Sequence, residues 1–342
     1  MSNFADIYGH DNIKEHLQRA IALGKVSHAY IINGGLGAGK KMLAELFAKT
    51  LQCEQCQSIV AGEAVEAALM NPCNECHSCI QTDTGNQPDI IWVKHEKPAS
   101  IGVDDIREQV IGDIQIKPYS SKYKIYIIDE AEKLTVQSQN ALLKTIEEPP
   151  AYGIVILLTT NADIFLQTIL SRCVLLDLKP VKDEQVIRYL KDKYQTTDYE
   201  CRFAAAFAQG KIGRAISIVE SAEFAKLKEE VLNVVKHASD MSSSDIMAEV
   251  KTIANYKLTI NDYLDLMAMW YRDVLMFKST NNTNLVIFKD ELMELKAQAE
   301  IISYEGLDDI LTSIDKVKIR LKANVNFDLV IELLIMAIKD NL

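Results

Sequence analysis

Tyr30-Ile31-Ile32-Asn33-Gly34-Gly35-Leu36-Gly37-Ala38-Gly39-Lys40-Lys41 decides how this chain is read. An apolar, β-branched run stops at a cluster of glycines. The residues after it begin a helix with Leu43, Leu46, Phe47 and Leu51 on one side. A strand, a glycine-rich turn and a helix opened by lysine together form the context of a phosphate-binding loop. Glycines let backbone N–H groups turn inward around phosphate oxygens, and the helix start adds partial positive charge. Gly34, Gly37 and Gly39 are expected to shape the cradle, and Lys40 to reach the outer phosphates. The pattern then calls for Ser or Thr, whose hydroxyl holds Mg²⁺, but here Lys41 follows. An ammonium group only donates and cannot ligate a metal while charged. The expectation is a loop that can still take ATP but handles Mg²⁺ poorly, so that hydrolysis is weak or absent. The bland alternative is a tight strand-to-helix turn with a chance lysine.

Working outward, further strands are expected at Ile90–Val93, Tyr123–Ile128, Ile154–Thr159 and Val174–Leu178. They are short, rich in Ile and Val and hardly alternate, as parallel strands covered on both faces do. Asp11 is expected to cap an earlier helix carrying Ile13, Leu17, Ala20 and Ile21. Strand–helix alternation of this kind predicts a doubly wound α/β domain. After Lys179-Pro180 the strand-like runs vanish and amphipathic helical stretches continue to Leu342, with boundaries expected near residues 178 and 222. The last stretch places Phe327, Val330, Ile331, Leu334 and Ile338 at helical spacing.

The 342 residues carry 37 basic and 48 acidic side chains, a net charge of −11, which argues against binding nucleic acid by bulk electrostatics alone. At 48% hydrophobic and 25% charged, disorder and collagen-like repetition are excluded. Met1-Ser2-Asn3-Phe4-Ala5-Asp6 lacks the basic start and apolar stretch of a secretion signal, so the cytoplasm is the expected compartment. Five of the seven cysteines fall between positions 53 and 79. An odd total in a reducing compartment points to metal rather than disulfides. Cys73-Asn74-Glu75-Cys76-His77-Ser78-Cys79 contains two C-x₂-C steps sharing Cys76. Three thiolates this close need a cation, and tetrahedral Zn²⁺ wants a fourth ligand, for which Cys53, Cys56 and His77 compete. The strand ending at Ile128 runs into Asp129-Glu130, a pair suited to positioning Mg²⁺ and orienting water, or only to charging the next helix start. Thr160-Asn161 ends the following strand, where a polar side chain could sense a γ-phosphate.

Asn140-Ala141-Leu142-Leu143-Lys144-Thr145-Ile146-Glu147-Glu148-Pro149-Pro150, with Ser171-Arg172-Cys173, His28-Ala29-Tyr30 and Ile101–Arg107, resembles the signature of bacterial clamp-loader subunits, an AAA+ family. The pattern is most similar to the delta prime type of the DNA polymerase III clamp loader. Trp270-Tyr271-Arg272-Asp273-Val274-Leu275 and Leu321–Leu334 are similar to that family's collar. The resemblance implies an α/β AAA+ (RecA-like P-loop) domain over residues 1–178 with a zinc-binding insertion at about 53–79. An all-α lid at 179–222 and an all-α collar at 223–342 would follow. It also implies Cys53 as the fourth zinc ligand beside Cys73, Cys76 and Cys79. Arg172 would act in trans as an arginine finger on a neighbouring subunit's γ-phosphate, the alternative being a surface salt bridge. Arg214 sits at the sensor 2 position of the lid, or is structural. The implied partners are the tau/gamma and delta subunits in a five-membered ring, the sliding clamp, and primed DNA through the complex.

Three other functions compete. An active motor ATPase of the tau/gamma kind is disfavoured by Lys41, and a helicase-like remodeller acting alone by the acidic charge and the 140–150 signature. A bare zinc-dependent binding module leaves the phosphate loop unexplained. No set of metal-binding carboxylates with a nucleotide-transfer palm is visible, so polymerase chemistry does not reside in this chain.

Overall fold

Runs of Ile, Val and Tyr that are apolar toward both faces can be buried only inside a sheet covered on two sides. In the computed structural model, which describes residues 3–60 and 70–342, three such runs form the centre of a five-stranded sheet, and two shorter, less buried strands form its edges. The strands are β1 (Ala29–Asn33), β2 (Ile90–Trp92), β3 (Lys124–Ile128), β4 (Gly153–Thr159) and β5 (Val174–Asp177). All pairings are parallel, in the order β2-β3-β4-β1-β5. Ile31 of β1 sits between Leu157 of β4 and Leu175 of β5, and Ile127 of β3 between Trp92 and Ile156. Alternate residues then pack to opposite sides. Tyr30, Ile32, Ile127 and Ile156 meet Leu17, Leu43 and Phe47 in one layer. Ile31, Tyr126, Val155 and Leu157 meet Ile106, Val110 and Leu142 in the other.

This order sets the C-terminal ends of β3, β4 and β1 side by side. The turns after Ile128, Thr159 and Asn33 therefore share one edge, where open α/β sheets take their ligands. The first helix, Asp11–Ala22, buries Leu17 and Ile21 as its spacing predicts. Asp11 is not its cap, however. His10 holds the N-cap position in left-handed backbone at φ 56°, and Asp11 lies inside the first turn, where it pairs with Lys14 at 2.7 Å. Of the zinc module expected at 53–79, residues 61–69 lie outside the described residues.

The chain divides into two compact units, Met1–Tyr189 with Gln209–Arg214, and Leu190–Ala208 with Ala215–Leu342. The second unit is helical and closes around Trp270, Tyr263 and Tyr271, all essentially without solvent exposure. Burying Trp270 requires a partner for its ring N–H. It donates to Gln298 Oε1 at 2.8 Å, and Gln298 donates in turn to the Val235 carbonyl at 2.6 Å. Asp273, likewise buried, accepts the backbone N–H groups of Ile287 and Phe288 at 2.6 and 2.9 Å. On the last helix, Phe327–Asn341, the residues Val330, Ile331, Leu334 and Ile338 face this core, while Leu329, Leu333 and Met336 are exposed. No helix among the described residues is long and apolar enough to cross a membrane.

Candidate functional site

The loop after β1 is built as a phosphate cradle has to be. Gly37 and Gly39 adopt φ of 76° and 92°, backbone that L side chains resist. Gly39 is the N-cap of the helix Lys40–Gln52 and brings no side chain to cap it, so the first helical amides keep their donors. Lys40 Nζ turns back onto the loop, donating to the carbonyls of Gly34 and Gly35 at 2.5 and 3.0 Å. Burial pushes the Lys40 ammonium below its usual range. Lys41 and Lys211 push the same way, while Glu132 and Asp129 oppose.

The segment Gln209–Arg214 of the same unit closes over this loop. Gly213 N–H donates to the Gly37 carbonyl at 3.0 Å. A Cβ on Gly37 would come within 2.9 Å of the Arg214 backbone nitrogen, and one on Gly213 within 3.0 Å of Gly37 Cα. Lys211 lies along Gly35, its Cε 3.0 Å from where a Cβ would stand. Arg214 is thus placed at the loop by its backbone, and Lys211 by its side chain. Sequence reasoning missed Lys211, although it stands beside Gly210 in the stretch that carried Arg214.

Lys41 Nζ pairs with Asp129 Oδ2 at 2.7 Å. The ammonium therefore meets the carboxylate that would have held Mg²⁺. Glu130, in left-handed backbone at φ 49°, is held by Lys133 Nζ at 2.7 Å and lies 3.7 Å from His95 Nε2. Asn161 Oδ1 accepts from Asp163 N–H at 2.9 Å and caps a short turn. Beside it the Thr160 hydroxyl donates to Glu132 at 2.8 Å. The glycine turns, the helix start without a side-chain cap and Lys40 are the parts a phosphate cradle is built from. Magnesium does not fit, because a hydroxyl ligand is replaced by a cation and the carboxylate ligand is already paired with it.

Arg172 follows the short helix Gln167–Leu170, immediately before the edge strand β5. Its side chain is 39% exposed, and the guanidinium pairs with Glu147 at 3.0 Å and donates to the Thr168 carbonyl at 3.0 Å. Cys173 beside it is buried enough that its thiol is pushed up to about 12, which suits an inert packing group.

The structure brings Cys53, Cys73, Cys76 and Cys79 together, their Sγ atoms all within 4.8 Å of one another. A tetrahedral zinc with Zn–S bonds of about 2.3 Å spaces its sulfurs at about 3.8 Å, so the four fit the ion. Cys73 Sγ and Cys79 Sγ lie 4.0 Å apart. Asn74, at φ 64°, makes the turn of the first knuckle, and Cys76 N–H then donates to Cys73 Sγ at 3.3 Å. Cys53 ends the helix Lys40–Gln52 and accepts the Cys73 N–H at 3.3 Å. Hydrogen bonding from Cys56, then from Cys79, holds the Cys53 thiol far down, toward the thiolate a metal needs. Cys56 neighbours Cys53 but is not one of the four, and its Sγ donates to the Asn71 carbonyl at 3.0 Å; His77 is exposed.

A parallel five-stranded sheet with a glycine-rich loop after β1, an acidic pair after β3 and polar residues after β4 defines an α/β protein of the P-loop type. Two neighbouring stretches refine this. The chain belongs to the family described as DNA polymerase III, delta subunit, whose model matches residues 9–182, just over half of the molecule. The family's C-terminal counterpart matches residues 222–340. The DNA polymerase III subunit tau of Bacillus subtilis is 28% identical over 92% of this chain and 57% of its own length. The subunit gamma of Buchnera aphidicola (from Acyrthosiphon pisum) is 32% identical over 64% of this chain and 58% of its own. This chain thus spans somewhat under three-fifths of either relative. The subunit delta' of Bacillus subtilis is 26% identical over 95% of this chain and 94% of its own length.

Proposed function

We propose that this chain is a delta-prime-type subunit of a DNA polymerase III clamp loader, a fixed member of the ring rather than one of its motors. The observation that carries the reading is the family match in both parts of the chain, residues 9–182 and 222–340. Its partners are then the tau/gamma and delta subunits in a five-membered ring. The sliding clamp and primed DNA are reached through the assembled complex in the cytoplasm. Residues 1–178 act as the AAA+ domain, 179–222 as a lid and 223–342 as the collar. An exposed apolar row, Leu329, Leu333 and Met336, supplies the collar with surface for assembly. Zn²⁺ held by Cys53, Cys73, Cys76 and Cys79 has all four positions filled by protein, so its role is structural. The motor alternative is not favoured, because Lys41 meets Asp129 where a motor needs magnesium.

In this reading Arg172 is the group the subunit gives its neighbour. Its pair with Glu147 is half exposed, and such pairs are worth only about 0–1 kcal/mol. The guanidinium can therefore leave Glu147 for a neighbour's γ-phosphate at small cost. Asp129 and Glu130 are then vestiges of hydrolytic chemistry in the chain itself, while Asn161 and Arg214 belong to its nucleotide-binding loop region. The test is Arg172→Ala in the reconstituted complex. Assembly should persist on gel filtration, while turnover at the adjacent ATP site should fall by about tenfold or more. Unchanged turnover in the assembled mutant complex would remove the arginine from the mechanism.

A further inference from the structure

We infer that Lys41 replaces magnesium as the counter-ion of this phosphate loop, so that the site takes the polyphosphate of a nucleotide as a metal-free anion. The inference rests on the reading of residues 34–40 as a phosphate cradle. It does not rest on the clamp-loader role, which assembly with the partner subunits tests separately.

Three observations meet here. First, the parts of a phosphate cradle are in place. Gly37 and Gly39 hold their left-handed turns, the helix Lys40–Gln52 begins without a side-chain cap, and Lys40 is folded into the loop. Second, both protein groups that would hold the metal are withdrawn. Position 41 offers a donor in place of an oxygen ligand, and Asp129 already binds that donor at 2.7 Å. Third, two further cations stand near the cradle. Lys211 lies along Gly35, so that Lys40, Lys41 and Lys211 surround one loop. A conventional site shares the charge of the phosphates between one lysine and a divalent ion. Here the same work falls to ammonium groups carried by the chain.

The sign of the magnesium effect follows. Magnesium chelated by a triphosphate removes negative charge from the ligand and brings a cation toward three lysines, beside a carboxylate whose Oδ2 already faces Lys41. Binding should therefore be indifferent to magnesium or weakened by it. Asp129 also changes role. In a magnesium site it is required, whereas here it competes with the phosphates for Lys41.

The experiment is calorimetric titration of the full-length, zinc-loaded chain with ATP. It is run in resin-treated magnesium-free buffer and again with millimolar MgCl₂. No chelator is added, because a chelator would also draw on the four-cysteine site. The wild type should bind equally or a few-fold more tightly without magnesium. Lys41→Thr restores the hydroxyl and should make binding about tenfold or more tighter with magnesium than without. Asp129→Asn, a near-isosteric change at a partly exposed position, should tighten metal-free binding by removing a competing negative charge. The inference is overturned by wild-type binding that needs magnesium or by no binding at millimolar ATP. It is equally overturned by a Lys41→Thr variant as indifferent to magnesium as the parent, or by an Asp129→Asn variant that binds less. Each of these results leaves the clamp-loader role standing.

Discussion

At the scale of single residues, this chain repeatedly uses one polar side chain to settle a local account, and Glu249 is the instance left open. Among the described residues neither its Oε1 nor the neighbouring Tyr263 hydroxyl has a hydrogen-bond partner, and both are buried. Burial, then the nearby Glu230, raises the Glu249 carboxyl above the usual carboxylate range. A raised folded-state value means that the unfolded chain gives up its proton first. The carboxylate therefore costs stability increasingly as pH climbs from the unfolded value through the folded one. Glu249→Gln should melt up to about 2 °C higher at pH 7, with the gap closing toward pH 4 in parallel scans. A gap that widened on acidification would contradict this account. Gly37 is the opposite case, a residue with no freedom to change. Its φ of 76° and the Arg214 nitrogen 2.9 Å from any Cβ make Gly37→Ala costly on both counts. A loss of about 1–3 kcal/mol is expected from the backbone alone. Chemical denaturation should register it, together with faster proteolysis at 209–214.

At the scale of elements, the helix Lys40–Gln52 connects the two chemistries of the first unit. It starts at the phosphate loop, packs Phe47 and Leu43 beneath the sheet, and ends at Cys53 in the four-cysteine cluster. Lys49, almost wholly buried along it, is satisfied by Asp83 at 2.6 Å, which ties it to the helix His77–Asp83 on the far side of the knuckle. Metal binding should therefore be felt at the phosphate loop through a rigid rod. Cys76→Ser is expected to release one equivalent of zinc and destabilise the first unit by several kcal/mol. The loss would appear as early hydrogen exchange along residues 40–52. Phe47→Ala, which empties a fully buried site between this helix and β1, should cost about 3–5 kcal/mol by denaturation while zinc content stays at one equivalent. Loss of zinc in that variant would mean that the helix end is not held independently.

At the scale of the whole molecule, the net charge of −11 disfavours nucleic-acid binding by bulk electrostatics, and the exposed apolar row on Phe327–Asn341 is the surface on which the proposed assembly can be tested. Leu329→Glu with Leu333→Glu adds two charges to positions 52% and 45% exposed, so the isolated chain should melt within a degree or two of the parent. In the assembled state the same change should abolish co-elution with tau/gamma and delta subunits. Retained co-elution would place the assembly face elsewhere.

The sheet was legible in the sequence because each strand is a short, mostly aliphatic run, and all but β2 stop at Gly, Asp or Thr, a signal that needs no distant contact to be read. The phosphate loop, the acidic pair and the C-x₂-C knuckles were legible for the same reason, since their chemistry is written in residues a few positions apart. Asp11 misled because capping depends on the backbone at position 10, and the left-handed turn at His10 is invisible in residue type. The pairing of Lys41 with Asp129, the approach of Lys211 to Gly35 and the turning of Cys56 toward Asn71 join residues far apart in the chain or choose between adjacent candidates. By itself, then, the sequence determined the class of domain, the loop and the set of candidate thiols, because local periodicity and spacing suffice for these. Only the tertiary structure decided which cation faces Asp129 and which cysteine joins the cluster, because strand order brings the loops after β1 and β3 together and the end of the helix Lys40–Gln52 meets the knuckle.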